Sequence, residues 1–148
     1  MAQSFPNNTG FAYGFERAEL TMNGRIWTGI KGVDIDQPTE EGVIESTRST
    51  PAGRTVGGMK LGEGTVEFST EGERLDFIDA LGDGYREKIW GLSWVLRAPG
   101  QLDKRIECIA CRVLGNPISH KAGTDALAGE VKFSFIEHKI NNKKPHTT

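Results

Sequence analysis

The sequence holds only two cysteines and three histidines among 148 residues, no apolar run long enough to cross a bilayer, and no basic cluster beyond Lys143 and Lys144. Each scarcity removes a class of function. A membrane-spanning helix needs about 20 consecutive apolar residues. A surface that grips nucleic acid regardless of sequence needs a concentrated positive field, and a formal charge of -2 does not supply it. His120, His138 and His146 have no ligand spacing with one another or with the cysteines, which speaks against a metal centre. Met1 to Asn8 is polar and uncharged where a signal peptide would be basic and then apolar, so no export is expected. The acceptor triplet Asn7, Asn8 and Thr9 therefore reads as part of a solvated arm.

Catalytic motifs are equally sparse. No Ser, Cys or Thr stands in a nucleophile-elbow or triad-like local context. The cluster Gly57, Gly58, Gly62 and Gly64 lacks the preceding strand, the following helix and the Gly-Lys-Ser/Thr of a phosphate loop, and is expected to shape a bend. Asp76, Asp79 and Asp83 lack the twelve-position pattern of a calcium loop and read as a solvated helix face. Cys108 and Cys111 form a C-x-x-C inside a strand-like run. Residues three apart on a regular strand point to opposite faces, so without a bulge the sulfurs cannot meet on one metal. Two buried free thiols are expected. The chain reads as a non-enzymatic protein without a cofactor.

What is abundant is glycine, at 19 residues, which favours turns and close backbone approaches over helix. The length suits one domain able to bury its own core. Residues 1–14 and 141–148 are polar and read as arms around a body at 15–140. Glu16 to Met22 and Arg25 to Ile35 are β-prone and flank Asn23-Gly24, a type I′ hairpin signal. Gly64 to Thr70 alternates, with Val66 and Phe68 on one face and Thr65, Glu67 and Ser69 on the other. Thr70 with Glu73 forms a capping box for a helix of about 71–81 whose stripe is Leu75, Ile78 and Leu81, with Phe77 or Ala80 at its margin and Gly82 as the stop.

Three more strands follow. Lys88 to Arg97 is bulky at Trp90, Leu92, Trp94 and Leu96. Arg105 to Leu114 is nearly all apolar, as in a central strand covered on both faces. Leu127 to Lys139 alternates Val131, Phe133 and Phe135 against Lys132 and Ser134. The expected fold is mainly β: a β-sandwich or half-open barrel of about six strands with one flanking α-helix, a long central loop and terminal arms. That loop, residues 36–62, is too long and aperiodic for a simple connection and is expected to be functional. Within it Gly42 to Arg48 and Arg54 to Lys60 can pair as an extended hairpin tipped by Thr50, Pro51, Ala52 and Gly53.

The combination of Asn23, Gly24, Arg25 and Trp27, the passage from Val56 to Ser69 into the helix Glu71 to Leu81, and the closing run resembles the tail tube proteins of tailed bacteriophages. That closing run is Ile106 to Leu114, Gly115, a loop with Ala122 and Gly123, and a last strand from Glu130 to Glu137. The family is similar in fold to the tubes of type VI secretion and other injection systems. The likeness covers residues 15–140 and departs at the close, where Ile136 and His138 stand in place of an aromatic pair.

The resemblance implies a homo-oligomer of stacked hexameric rings forming a hollow conduit in a virion tail, assembled in the host cytoplasm. It implies a tape measure protein, baseplate or tail-tip proteins, and a sheath if the tail contracts, as partners. DNA would pass through without specific binding, and no membrane is involved. Ring stacking is expected at Val43, Ile44, Arg48, Arg54, Val56 and Met59. Lumen candidates are Glu67, Ser69, Ser93 and Ser134. The alternative is a free-standing β-sandwich that binds a sugar or peptide, for which surface aromatics are expected while Trp90 and Trp94 fall on the core face.

Overall fold

Asn23 and Gly24 adopt φ of 55° and 77°, the left-handed pair a tight hairpin demands, and they turn strand β1 (Glu19–Met22) into β2 (Arg25–Trp27). A computed structural model describes residues 12–40, 43–44, 53–54 and 58–146, with the backbone alone at 40, 43–44, 53–54 and 58–59. The run Arg25 to Ile35, expected as one strand, breaks at Thr28-Gly29 into β2 and β3 (Ile30–Asp36). Then come four two-residue strands, β4 (Thr39–Glu40), β5 (Val43–Ile44), β6 (Gly53–Arg54) and β7 (Gly58–Met59). β8 (Gly62–Phe68) leads into α1 (Glu71–Leu81), and β9 (Trp90–Leu96), β10 (Lys104–Gly115), β11 (Gly129–Phe135) and β12 (Glu137–Ile140) complete the chain. The six expected runs thus become eight strands of one antiparallel sheet, because two of them break, at Gly29 and at Ile136.

The fold is mainly β. The sheet runs β2-β1-β9-β10-β11-β8-β3, with β12 pairing the first half of β10. Its two ends, β2 and β3, are consecutive in the chain and separated only by Thr28 and Gly29. Three Cα steps span at most about 11 Å, so the sheet must curl until its edges nearly meet at that end. The result is a half-open barrel, unsealed between β2 and β3. Helix α1 packs against β8 and β11 and reaches the β2–β3 connection through Glu73. Glu73 accepts a hydrogen bond from the Gly29 N–H at 2.8 Å, and Gly29 accepts one from the Ser69 N–H at 2.8 Å. A Cβ on Gly29 would stand 2.4 Å from the Glu73 carboxylate, so a larger residue here would have to displace the Glu73 side chain.

The core is a chain of rings. Phe77 of α1 packs edge-on to Trp27 and Trp90, with centroids 5.6 and 5.1 Å away, and stacks on Phe68. Trp90 continues to Phe133 and that ring to Phe135. Gly62 and Gly64 were expected to shape a bend. Both lie within β8, Gly64 in the strand expected from it onward, and their missing side chains admit the rings of Phe135 and Phe133: an added Cβ would come within 2.3 and 2.4 Å of the two ring tips.

Two further expectations change. The capping box does not form, because Thr70 makes no side-chain cap bond and Glu73 is engaged with Gly29. The buried stripe of α1 is Glu71, Arg74, Phe77 and Leu81 with Ile78 at its margin, while Leu75 is exposed. Gly82 ends the helix as expected, at φ 80°.

In β10 the register slips between Cys108 and Cys111, where Ala110 takes φ 58°. This bulge supplies the extra residue that puts both cysteines in the core, so the opposite-face argument fails here. Both are free and buried, and the Cys111 thiol donates to the Cys108 carbonyl at 3.5 Å. The bulge also explains why the run is apolar nearly throughout. Cys108, Cys111 and Val113 face inward, but Ile109 and Leu114 lie on the outer surface rather than under a second layer.

Candidate assembly surface

The long central segment forms a two-part antiparallel arm outside the main sheet. Thr39 pairs with Met59 and Glu40 with Gly58; farther out Val43 pairs with Arg54 and Ile44 with Gly53. Gly53 therefore lies on a strand rather than in the tip. Of the residues expected to make ring contacts, Val43, Ile44, Arg54 and Met59 have described backbone on this arm. Arg48 and Val56 lie outside the described residues, as do Thr50, Pro51 and Ala52 and residues 1–11 of the amino-terminal arm. At the root, Lys60 N–H donates to the Pro38 carbonyl at 3.2 Å.

The main sheet presents edges. Among the described residues no strand pairs with the outer sides of β2, β3 and β12, and only Ile140 at the end of β12 is met there, by the turn that brings back Lys143. Such edges carry rows of unmet N–H and C=O groups and template the addition of another strand. A second exposed feature lies on the outer face around the Ala110 bulge and the Ile136 break. There Leu61, Ile89, Leu114 and Ile136 are all exposed, at 62%, 63%, 42% and 63%, around a shallow concavity of about 370 Å³ rimmed by Glu63 and Arg112. Neither break is visible in the residue pattern, so this patch was missed; the only signal was the unbroken apolar run of β10.

The lumen candidates do not all converge. Glu67 is exposed on β8 opposite Glu130 of β11 and Gly32 of β3, and Ser69 is exposed just beyond it. Ser134 stands on the neighbouring strand opposite Glu63 but is only 7% exposed. Ser93 is half-buried on β9, with β10 and β11 between it and β8. On the outer face of β3 and β8, Asp34, Asp36, Glu63 and Glu67 are exposed, with Lys31 on β3 and Lys132 on β11 as nearby cations.

The connection from β10 to β11, residues 116–128, has no regular structure, yet it is tied down. Fully buried Arg74 holds Glu71 through two nitrogens and donates to the carbonyls of Pro117 at 2.7 Å and Glu130 at 3.2 Å. His120 Nε2 donates to the same Glu71 carboxylate, and the Glu71 N–H donates to Leu127 at 2.8 Å. Burial raises the Glu71 carboxyl, but the hydrogen bonds and charges of Arg74 and His120 outweigh it and leave it below its ordinary value. The clue in the sequence was an arginine inside an otherwise apolar helix stripe, three residues after a glutamate.

Trp90 is buried as expected. Trp94 is half-buried against the core and packs on Phe15, ring centres 5.4 Å apart.

The antiparallel sheet curled into an open barrel, with its one helix and projecting arm, has counterparts of similar fold among solved structures. The solved structures similar to it make that concrete. "Hcp1 from Flavobacterium johnsoniae" aligns over 86% of this chain and 96% of its own, with a TM-score of 0.54 and 14% identity. A chain of the sheath/tube terminator of the extracellular contractile injection system PVC, in its extended state, aligns over 89% and 98% with a TM-score of 0.68 and 10% identity. One from the PVC sheath-tube complex in the extended state aligns over 89% and 93%, with a TM-score of 0.59 and 11% identity. No protein-family model matches the chain, and no curated protein matches it.

Proposed function

We propose that this chain is a structural subunit of a tail tube, assembling as hexameric rings that stack into a hollow conduit for DNA delivery in a virion tail. The observation that carries this reading is the open barrel whose edges at β2, β3 and β12 no described strand pairs, in a fold shared with tube-forming assemblies over nearly the whole chain. Joining edges between copies satisfies backbone groups that an isolated subunit leaves to water. In this reading the β4–β7 arm, with Val43, Ile44, Arg48, Arg54, Val56 and Met59, touches the next ring. The acidic outer face of β3 and β8, led by Glu67 with Ser69, faces the lumen; Ser93 lies farther round the sheet, and Ser134 presents little surface. A carboxylate-rich lumen lets a polyanion slide where Lys and Arg would hold it. A tape measure protein fills the tube before DNA, tail-tip or baseplate proteins close its end, and a sheath surrounds it if the tail contracts. Assembly takes place in the host cytoplasm.

Negative-stain microscopy of the concentrated protein tests the proposal. Rings or tubes are expected to appear cooperatively as concentration rises, and earlier in kosmotropic salt, which strengthens apolar burial. A uniform monomer under all these conditions would overturn it.

A further inference from the structure

The structure assigns Gln37 the role of a brace that fixes the direction in which the β4–β7 arm leaves the barrel; this rests on the reading of that arm as a contact between rings. Gln37 lies between the end of β3 and the start of β4, at the outgoing root of the arm. Its amide nitrogen donates to the carbonyl of Ile136 at 2.5 Å and to that of Lys60 at 3.1 Å. Its amide oxygen lies 2.6 Å from His138 Nδ1. Two carbonyls on one side leave only one orientation for the amide, nitrogen toward them, so the oxygen must accept and His138 must carry its proton on Nδ1. One side chain thereby ties the outgoing root to the returning root at Lys60 and to the β11–β12 break. The His138 ring is itself set edge-on to core residue Phe135, with centroids 6.3 Å apart.

A second tie reaches the arm from the other side. Asn141 and Asn142 take φ of 52° and 66° and turn the carboxy-terminal segment back on itself, with Ile140 and Lys143 exchanging backbone bonds at 3.0 Å. Asn141 is held on β10 by bonds to both backbone groups of Arg105. This turn delivers His146 to the Thr39 hydroxyl at 3.3 Å. Residues 141–146, within the segment read as a carboxy-terminal arm, are thus anchored where they begin.

The brace is needed because of the arm's make-up. Its four strands have two described residues each and, among the described residues, make no pairing with the main sheet, and an isolated two-stranded ribbon is marginal in water. Two strand ends alone would leave it swinging about its root. Cross-ties there convert it into an arm already pointed, so less ordering remains to be done on docking.

Hydrogen exchange of the monomer, read alongside tube formation, tests the brace. In Gln37→Ala the amides of residues 39–40 and 58–60 are expected to exchange at least about tenfold faster, as follows from losing several hydrogen bonds at one joint, while β8 to β11 keep their protection. Thr39→Val, at an exposed position, should loosen the same amides by a smaller factor and leave the barrel untouched, so the test survives if the Gln37 variant does not fold. Tubes should then form only at several-fold higher concentration. Unchanged exchange at 39–40 and 58–60 in both variants would overturn the brace. Faster exchange with unchanged tube formation would uphold the brace and remove the arm from the ring contact.

Discussion

Arg74 has no exposed surface, yet it carries a full charge into the barrel end. A buried charge is tolerable only when paired and hydrogen-bonded, and here Glu71 and two carbonyls meet it. Even the backbone makes room, since a Cβ on Gly129 would lie 2.6 Å from the Arg74 Nε. Removing one partner of such a pair strands the other, so Glu71→Gln is expected to lower stability by about 3 to 5 kcal/mol near neutral pH in urea unfolding. The pH dependence follows from the depressed Glu71 carboxyl. Its contribution is complete above the ordinary carboxylate value and is lost as pH falls through the lowered one, when the folded carboxyl takes up its proton. The wild-type advantage over Glu71→Gln should therefore shrink in acid, and the 116–128 connection, held by the same carboxylate, should gain hydrogen exchange over that range. A stability gap that stays constant down to strong acid would show that the ionised Glu71–Arg74 pair is not what holds this end together.

Strand β10 shows how one residue redirects an element. The Ala110 bulge turns two cysteines that a regular strand would separate into neighbours in the core, and the adjacent Cys108 thiol, then burial, pushes the Cys111 thiol far above its ordinary value. Both thiols are buried, and the Cys111 thiol is also held away from the reactive thiolate form, so both cysteines are expected to resist a thiol reagent in the folded protein and to react at the rate of unfolding. Labelling in native buffer, faster than the unfolding rate measured by fluorescence, would contradict this. The same element marks the boundary of what the sequence discloses. The Asn23-Gly24 hairpin, the bounds of α1, and the inward rows Val66-Phe68 and Val131-Phe133-Phe135 were legible because each depends on local periodicity or turn chemistry. The bulge, the break at Gly29 and the replacement of Leu75 by Arg74 in the buried stripe were not. Each is set by a partner distant in sequence: Trp90 across from Cys111, Glu73 beside Gly29, Pro117 and Glu130 around Arg74. The backbone of the candidate ring-contact arm was visible as a possible hairpin, whereas its brace at Gln37 depends on His138, 101 positions away.

At the scale of the molecule, the notable imbalance is between a ring-filled interior and an outer face that leaves Leu61, Ile89, Leu114 and Ile136 in water around one concavity. Clustered exposed apolar residues commonly mark a surface that a partner covers, and in the proposed tube the available partner is a neighbouring copy. The patch borders the β12 edge through Ile136 and the root of the arm through Leu61, so a copy joined at that edge would bury it in the same step. Leu114→Lys and Ile89→Lys change side chains that already face solvent, and surface substitutions shift stability by only about 0.5 kcal/mol. Their monomers are expected to melt like the wild type. Assembly should suffer, because a lysine brought into an apolar contact must lose its water without gaining a partner. Light scattering against concentration is expected to show onset displaced upward by about tenfold or more for each variant, a loss of at least about 1.4 kcal/mol per contact. Retained onset in both variants, with monomer stability unchanged, would show that no neighbouring copy covers the patch and leave ring closure to the edges of β2 and β3.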